Sequence, residues 1–385
     1  MATGKRWVVG LAIAVLVLSA LAAGPASVGT AGARLPNVGQ PPAGPAAPTT
    51  APPTSPIVEI ADTGEGYPEA DVAYNTQYDE YLVVWEDSSV IWGRRVSSRG
   101  QLIGAPFVIA TATTWGNRAP RVAYDSSRNR YLVVWGVLDV SFSKVYGRFV
   151  PALGPSAALS NFAIDPSELP THANFSLAYA LAQDEFLVVW NKKSGGAFRE
   201  ATYVRRIKAD GSGFPASSWL LAEHSTDNRW HADVAYNLQR NEYLVTVDDF
   251  NKDNDNVYGK RLTAPGVALG GGEFGIADWP DDEFGASVAA CPAGDQYLVV
   301  WHSMRDEDNT DGIYARYVSG DGSPGAVLLL KSRTLWEERS ADAACGVTKS
   351  SPQAPRYLVA WAEVTVHPKA CRARQVYLPG TMDWE

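Results

Sequence analysis

The stretch Tyr81-Leu82-Val83-Val84-Trp85 decides the fold, because it returns five more times. YLVVW stands again at Tyr131–Trp135, FLVVW at Phe186–Trp190, YLVTV at Tyr243–Val247, YLVVW at Tyr297–Trp301 and YLVAW at Tyr357–Trp361. A period of roughly 50 to 60 residues points to a propeller or a solenoid. Leu, Val and Val in unbroken succession need cover on both faces, whereas a strand covered on one face alternates apolar and polar positions. Each copy is therefore expected between two neighbouring sheets.

Outward from the first copy, Asp71–Tyr74 reads as a strand before YLVVW, Ile91–Val96 as a third and Phe107–Ala110 as a fourth, with polar, Gly- or Asn-rich turns between them. No segment of the unit has helical period. Four short strands per repeat make a propeller blade, and the same order recurs in the next four copies. The sixth copy has strands near Ala343–Cys345, at YLVAW and at Cys371–Val376, but no fourth. The missing strand is found at the other end, where Ile57–Ala61 precedes the first blade. The expectation is an all-β fold: a six-bladed β-propeller of four-stranded blades over residues 57–385, the last blade completed by residues 57–61.

The flanks read differently. Lys5 and Arg6 precede an apolar run from Trp7 to about Ala23 and then small residues, the pattern of a signal peptide over residues 1–33. No second run of that kind follows, so no membrane span is expected after its removal, and a secreted or envelope-associated location follows. Residues 34–56 are rich in Pro, Ala and Thr and read as an extended linker. The chain of 385 residues carries a formal charge of −9. That gives no electrostatic support to a nucleic-acid partner. Its three cysteines, Cys291, Cys345 and Cys371, allow at most one internal disulfide.

Strand direction alternates within a blade, so loops sort onto two faces. The face with the strand two-to-three loops and the interblade loops holds the unusual residues. Asp253 and Asp255, and Asp306, Asp308 and Asp311, lie in acidic loops whose alternating oxygen ligands suit calcium. Trp115, Trp230, Trp279, Trp336 and His231 lie in interblade loops and suit a sugar ring, by stacking and by hydrogen bonding. Nearest the axis, the first strands begin with Asp71, Arg121, Ser176, Asp233, Ser287 and Asp342. Of these, Asp71, Asp233 and Arg121 are the candidates for acid and base chemistry at a channel mouth. The third-strand Arg94, Arg148, Arg205 and Arg316 recur with the repeat and read as structural.

The repeat VAY, YLVVW and then YGRRV or a close variant resembles the tandem repeats of exported bacterial β-propeller proteins, over about residues 57–378. The resemblance implies the fold and export, and no activity. The paired Gly-His and Trp-Asp of WD repeats, the double Gly of kelch repeats and the S-x-D-x-G-x-x-W boxes of sialidases are all missing. The functional expectation is an exported, non-catalytic binding propeller, monomeric, with a carbohydrate or an extracellular protein as partner. The alternatives are a glycan-active hydrolase using the channel-mouth carboxylates, or a structural module of the envelope.

Overall fold

The computed structural model describes residues 60–61, 70–97, 100–111, 116–138, 143–153, 160–165, 174–194, 199–222, 228–250, 255–279, 282–291, 294–304, 312–332, 338–348, 351–363 and 370–377. The segments expected to be signal peptide and linker lie outside them, as do residues 57–59. No helix among the described residues is long and apolar enough to cross a membrane.

The described chain is built of strands, in antiparallel sheets that follow the repeat. The first sheet is β1 (Ala70–Asn75), β2 (Glu80–Asp87), β3 (Val90–Ser97) and β4 (Leu102–Ala110). The second is β5 (Asn117–Asp125), β6 (Arg130–Leu138), β7 (Ser143–Pro151) and β8 (Phe162–Asp165). The third is β9 (Phe175–Ala180), β10 (Glu185–Ser194), β11 (Arg199–Lys208) and β12 (Trp219–Ala222). The fourth is β13 (Asn228–Asn237), β14 (Glu242–Phe250), β15 (Asn256–Thr263) and β16 (Ala268–Ala277). The fifth is β17 (Asp282–Ala290), β18 (Gln296–Met304), β19 (Gly312–Ser319) and β20 (Pro324–Ser332). The last has three strands among the described residues, β21 (Glu338–Thr348), β22 (Ser351–Glu363) and β23 (Ala370–Tyr377). In every sheet the strands pair in chain order, which is the meander of a propeller blade.

The two faces of YLVVW meet different neighbours. Tyr131, Val133 and Trp135 pack with Leu82 and Val84 of the preceding sheet. Phe186, Val188 and Trp190 pack likewise on Leu132 and Val134, and Tyr243, Val245 and Val247 on Leu187 and Val189. Tyr297, Val299 and Trp301 share a cluster with Leu244, and Tyr357 and Val359 one with Leu298 and Val300. Odd positions of the motif thus face the sheet before and even positions the sheet after. At about 1.5–3 kcal/mol for each fully buried aliphatic or aromatic side chain, these interfaces are the main favourable term of the fold.

Third-strand cations tie the sheets together. Arg148 donates to the carbonyl of Ile109 on the previous sheet, Lys260 to that of Leu221 and Arg316 to that of Ile276, each at 2.5 Å, and Arg205 donates to Ile164 in the same way. Arg95, Arg206 and Arg261 reach the other way, to the carbonyls of Pro151, Pro265 and Asp321. The expectation that these arginines serve the scaffold agrees with their contacts.

The turns between first and second strands are also fixed by sequence. Asn75, Asp125 and Asn237 each accept from the two backbone N–H groups that follow in the turn. Asp79, Asn129, Asp184 and Asn241 close the turns at φ of 51–56°, a conformation that short polar side chains tolerate. The hydroxyls of Tyr74, Tyr124, Tyr179 and Tyr236 donate to those same four residues.

Two details depart from the sequence reading. β4 begins at Leu102, inside a stretch expected to be a turn, and its residues Leu102–Pro106 are exposed. An outer strand with no buried face leaves no apolar alternation to detect. The cysteine pairing, open in the sequence, is Cys291–Cys345, with Cα atoms 5.3 Å apart across the fifth and sixth sheets.

The glycine of the third strand is a packing requirement. A Cβ on Gly259 would lie 2.7 Å from the ring of Phe274 and 2.9 Å from Cδ1 of Ile276, both on β16. Gly259→Ala is therefore expected to cost about 1–3 kcal/mol by overpacking, measured as a lower urea midpoint. An unchanged midpoint would show that β16 moves aside freely.

Candidate functional site at the axis

The six first-strand residues occupy one register position. Asp71 pairs with Val84, Arg121 with Val134, Ser176 with Val189, Asp233 with Thr246, Ser287 with Val300 and Asp342 with Ala360, in each case the fourth residue of the YLVVW copy. The structure brings them together. Ser176 Oγ donates to Asp233 at 2.5 Å and Ser287 Oγ to Asp342 at 2.7 Å, each across a sheet boundary. Asp71 feels the charges of both Arg121 and Asp342, and Asp233 feels that of Asp342. Groups at one register on successive blades that interact this way line the axis of the propeller.

Two of the carboxyls also latch neighbouring sheets. Asp71 accepts from the N–H of Val72 at 2.7 Å and from Val122 on the next sheet at 2.8 Å. Asp233 accepts from Val234 and from Val288 on the next sheet, both at 2.8 Å. Burial raises the pKa of Asp71 to about 7, with Asp342 adding to the rise and Arg121 and the two N–H donors opposing it. Burial likewise raises Asp233, against the hydrogen bond from Ser176. By accessible surface both are only half-buried.

A backbone irregularity stands just before this position in several copies. The pairing shifts between Arg118 and Arg121, Trp230 and Asp233, Phe284 and Ser287, and Arg339 and Asp342. Two residues ahead of the ring residue, Ala119, His231 and Gly285 hold φ of 52°, 45° and 68°. This left-handed region favours Gly and costs other residues about 1 kcal/mol or more.

His231 is held further by Asp248. Its Nδ1 lies 2.9 Å from the carboxylate, which is 2 % exposed while the His231 side chain is 38 % exposed. Asp248 also accepts from the N–H of Gly285 at 2.6 Å and of Ala286 at 3.4 Å on the next sheet. In the third copy Asn191 stands at the equivalent place and accepts from the N–H of Ala232 at 3.2 Å. Burial pushes the imidazole toward neutrality, but the Asp248 hydrogen bond and the charges of Asp248, Glu200 and Asp255 outweigh it, so its pKa is raised. Burial raises that of Asp248, opposed by His231 and the two amides.

The other candidates are placed as follows. Trp279 is half-buried and meets the rings of Trp301 and Tyr314 edge-on, at 6.0 and 5.2 Å. It is thus packed in part against the fifth sheet. Trp230 lies on β13, and Trp115 and Trp336 lie outside the described residues. Asp255 is buried, its N–H donating to Asp282 and its carbonyl accepting from Glu283. Among the described residues no group of three or more His, Cys, Asp or Glu side chains is arranged to hold a metal ion. Asp253, Asp306, Asp308 and Asp311 lie outside the described residues. Sequence reasoning missed Asp248 as the partner of His231. Its one signal was position, immediately after Thr246-Val247, where the fourth copy departs from YLVVW.

No protein-family model matches the sequence, and no curated protein does. Solved structures do. An α-L-arabinofuranosidase of Fusarium graminearum in complex with an iminosugar inhibitor superposes with a TM-score of 0.54 at 12% identity, over 82% of this chain and 94% of its own. The family 93 α-L-arabinofuranosidase of the same organism with arabinobiose gives 0.53 at 12% identity, over 80% and 92%. A Hadza microbial sialidase gives 0.50 at 12% identity, over 80% of this chain and 65% of its own. At this identity the likeness shows the fold, a β-propeller. The expectation of a non-catalytic binding propeller is corrected here, because the structural neighbours are glycoside hydrolases. They favour the hydrolase alternative.

Proposed function

We propose that the protein is an exported glycan-active hydrolase whose active site is the mouth of the axial channel. One observation carries the reading: three carboxyls and an arginine converge at one register position of a fold shared with arabinofuranosidases. Glycoside hydrolysis needs a carboxylic acid to protonate the leaving oxygen and a carboxylate facing the positive charge that develops at the sugar. Asp71, with its pKa at about 7, remains protonated in mildly acidic solution and takes the first role. Asp233 takes the second: burial raises its pKa, and the hydrogen bonds it accepts from Ser176, Val234 and Val288 oppose that rise. Arg121 and Asp342 complete the ring.

The charge of the ring sets the substrate class. Asp71, Asp233 and Asp342 face one cation, Arg121, which also donates to the carbonyl of Pro120 at 2.9 Å. A sugar bearing its own carboxylate meets net repulsion there, and a neutral sugar does not.

The closed six-bladed ring belongs to the same proposal. Arg94 donates at 2.5 Å to the carbonyl of Ile60, as Arg148 does to Ile109 and Arg316 to Ile276. Ile60 and Ala61 also pack on Val83, Trp85 and Val96, where a preceding blade is required. Both observations support residues 57–61 as the outer strand of the last blade.

The test is turnover of 4-nitrophenyl glycosides by the purified protein. The panel covers α-L-arabinofuranoside, β-D-xyloside and β-D-galactoside, beside β-D-glucuronide and a sialoside. The expected result is cleavage of at least one neutral member and of neither acidic one. No turnover above the uncatalysed rate across the panel overturns the reading, and preference for an acidic member overturns the substrate class.

A further inference from the structure

The hairpins joining second to third strands rise around the axial mouth, and the first is the shortest. Six residues separate Trp85 from its third-strand partner Trp92. In the other five sheets the same span holds ten or twelve residues. The first hairpin thus has two or three fewer residues per arm, about 7–10 Å of extended chain. In the third sheet the arms are still paired at Ser194 and Arg199, two pairs past the level at which the first sheet closes at Asp87 and Val90. The interblade connections do not make up the difference. From the fourth-strand carbonyl that takes the third-strand cation to the next axial residue, the chain advances 11 residues at Ile60–Asp71, and 12 at Ile109–Arg121, Ile164–Ser176 and Leu221–Asp233. The short hairpin is also held down. Ser88 and Ser89 turn it at φ of 52° and 68°, the two left-handed positions of a type I′ turn, where Asn-Gly is the usual pair. Two serines there carry a backbone cost that a longer loop would relieve, and such costs gather at functional sites. Buried Asn117 donates to the carbonyls of Ser89 and Thr111, both at 2.8 Å. A Cβ on Gly116 would lie 2.7 Å from Oγ of Ser89. The rim is therefore fixed low at the first sheet, with Ser88 only four residues up β2 from Val84, the partner of Asp71.

We propose that the first hairpin is the sill over which the leaving group of a neutral oligosaccharide passes, so that the substrate is a chain of sugar residues and not a single capping sugar. The inference rests on the hydrolase reading above. Asp71 protonates the leaving oxygen there, so the departing fragment lies toward Asp71's own sheet, where the hairpin is lowest. In the closed ring Asp233 stands three sheets away, and the sugar it faces lies toward the longer hairpins. The crest of the sill is polar: Ser88 is exposed and its hydroxyl donates to Asp87 at 3.0 Å. A sugar chain lying across it gains contacts with each residue added, and binding energy of that remote kind can serve the transition state.

The experiment uses linear oligosaccharides of two to six residues, built of the neutral sugar whose 4-nitrophenyl glycoside wild type cleaves fastest, each with a fluorophore at its reducing end. Wild type should release labelled fragments of two or more residues. Its kcat/KM should rise about 10-fold from disaccharide to tetrasaccharide, the worth of one or two added hydrogen bonds. A variant with Gly-Ser-Gly-Ser inserted between Ser88 and Ser89 gives the first hairpin the length of the second. It should lose the rise with chain length, while its kcat/KM on the 4-nitrophenyl glycoside stays within about threefold of wild type. The double substitution Ser88→Asn, Ser89→Gly keeps the hairpin short with the favoured turn pair. It should keep the wild-type length profile, with a melting temperature unchanged or raised. A wild type with no gain from chain length, or one that releases the label only on a single sugar, overturns this inference alone. So does an insertion variant that keeps the wild-type rise. If the insertion does not fold, the wild-type product lengths and length profile decide by themselves. A wild type inactive on the whole 4-nitrophenyl panel overturns the hydrolase reading and this inference together.

Discussion

Asp71→Asn is expected to lower kcat by about 10²- to 10⁴-fold, the range for removing a positioned general acid, without loss of the fold. Asparagine keeps an oxygen for Val72 or Val122, whose N–H groups the carboxyl now receives at 2.7 and 2.8 Å. The wild-type rate should fall as pH rises through about 7, where Asp71 loses its proton. The same group shapes stability. Its pKa is about 7 in the folded protein against 3.8 for the ordinary side chain, so between those values the folded state binds more protons than the unfolded one. The penalty for its charge is therefore present above pH 7, declines as pH falls through 7, and is gone below 3.8. Asp71→Asn should flatten that dependence, read from melting temperatures between pH 4 and 8. A variant that keeps wild-type kcat and the same limb near neutral pH removes Asp71 from the chemistry.

Loss of the Cys291–Cys345 disulfide should destabilise the protein by about 4 kcal/mol, the chain-entropy value for a closed loop of this length. The two cysteines are 54 residues apart in sequence, so the loop spans one whole repeat. Cys291 follows β17 and Cys345 lies on β21, in one cluster with Leu298, Val300 and Tyr357. The bond thus holds the last sheet to the fifth. Chemical denaturation with and without reductant checks this, using Cys291→Ser as the permanently reduced form. A midpoint indifferent to both shows that packing and hydrogen bonds alone hold these two sheets together.

The scaffold was legible because its signals are local and repeated. YLVVW demands cover on both faces, and that demand is met at each boundary from the first sheet to the sixth. The axial residues were legible for the same reason: once the repeat is aligned, Asp71, Arg121 and Asp233 share a register without coordinates. The His231–Asp248 pair was hidden. Its geometry depends on a bulge that shifts the register and on a left-handed residue, and periodicity reports neither. Trp279 has packing contacts that its place in a loop did not announce. Its ring meets Trp301 and Tyr314 of the fifth sheet edge-on. The exposed half of β4 escaped because a strand without a buried face carries no pattern.

The central claim is that glycan chemistry takes place at the axial mouth. Its most direct test is a crystal structure of the Asp71→Asn protein soaked with a neutral pentose disaccharide. The account predicts the disaccharide over the ring, within hydrogen-bonding reach of Arg121 and Asp233. A mouth left empty at saturating disaccharide, or a sugar bound instead on the face of the strand one-to-two turns, would contradict it.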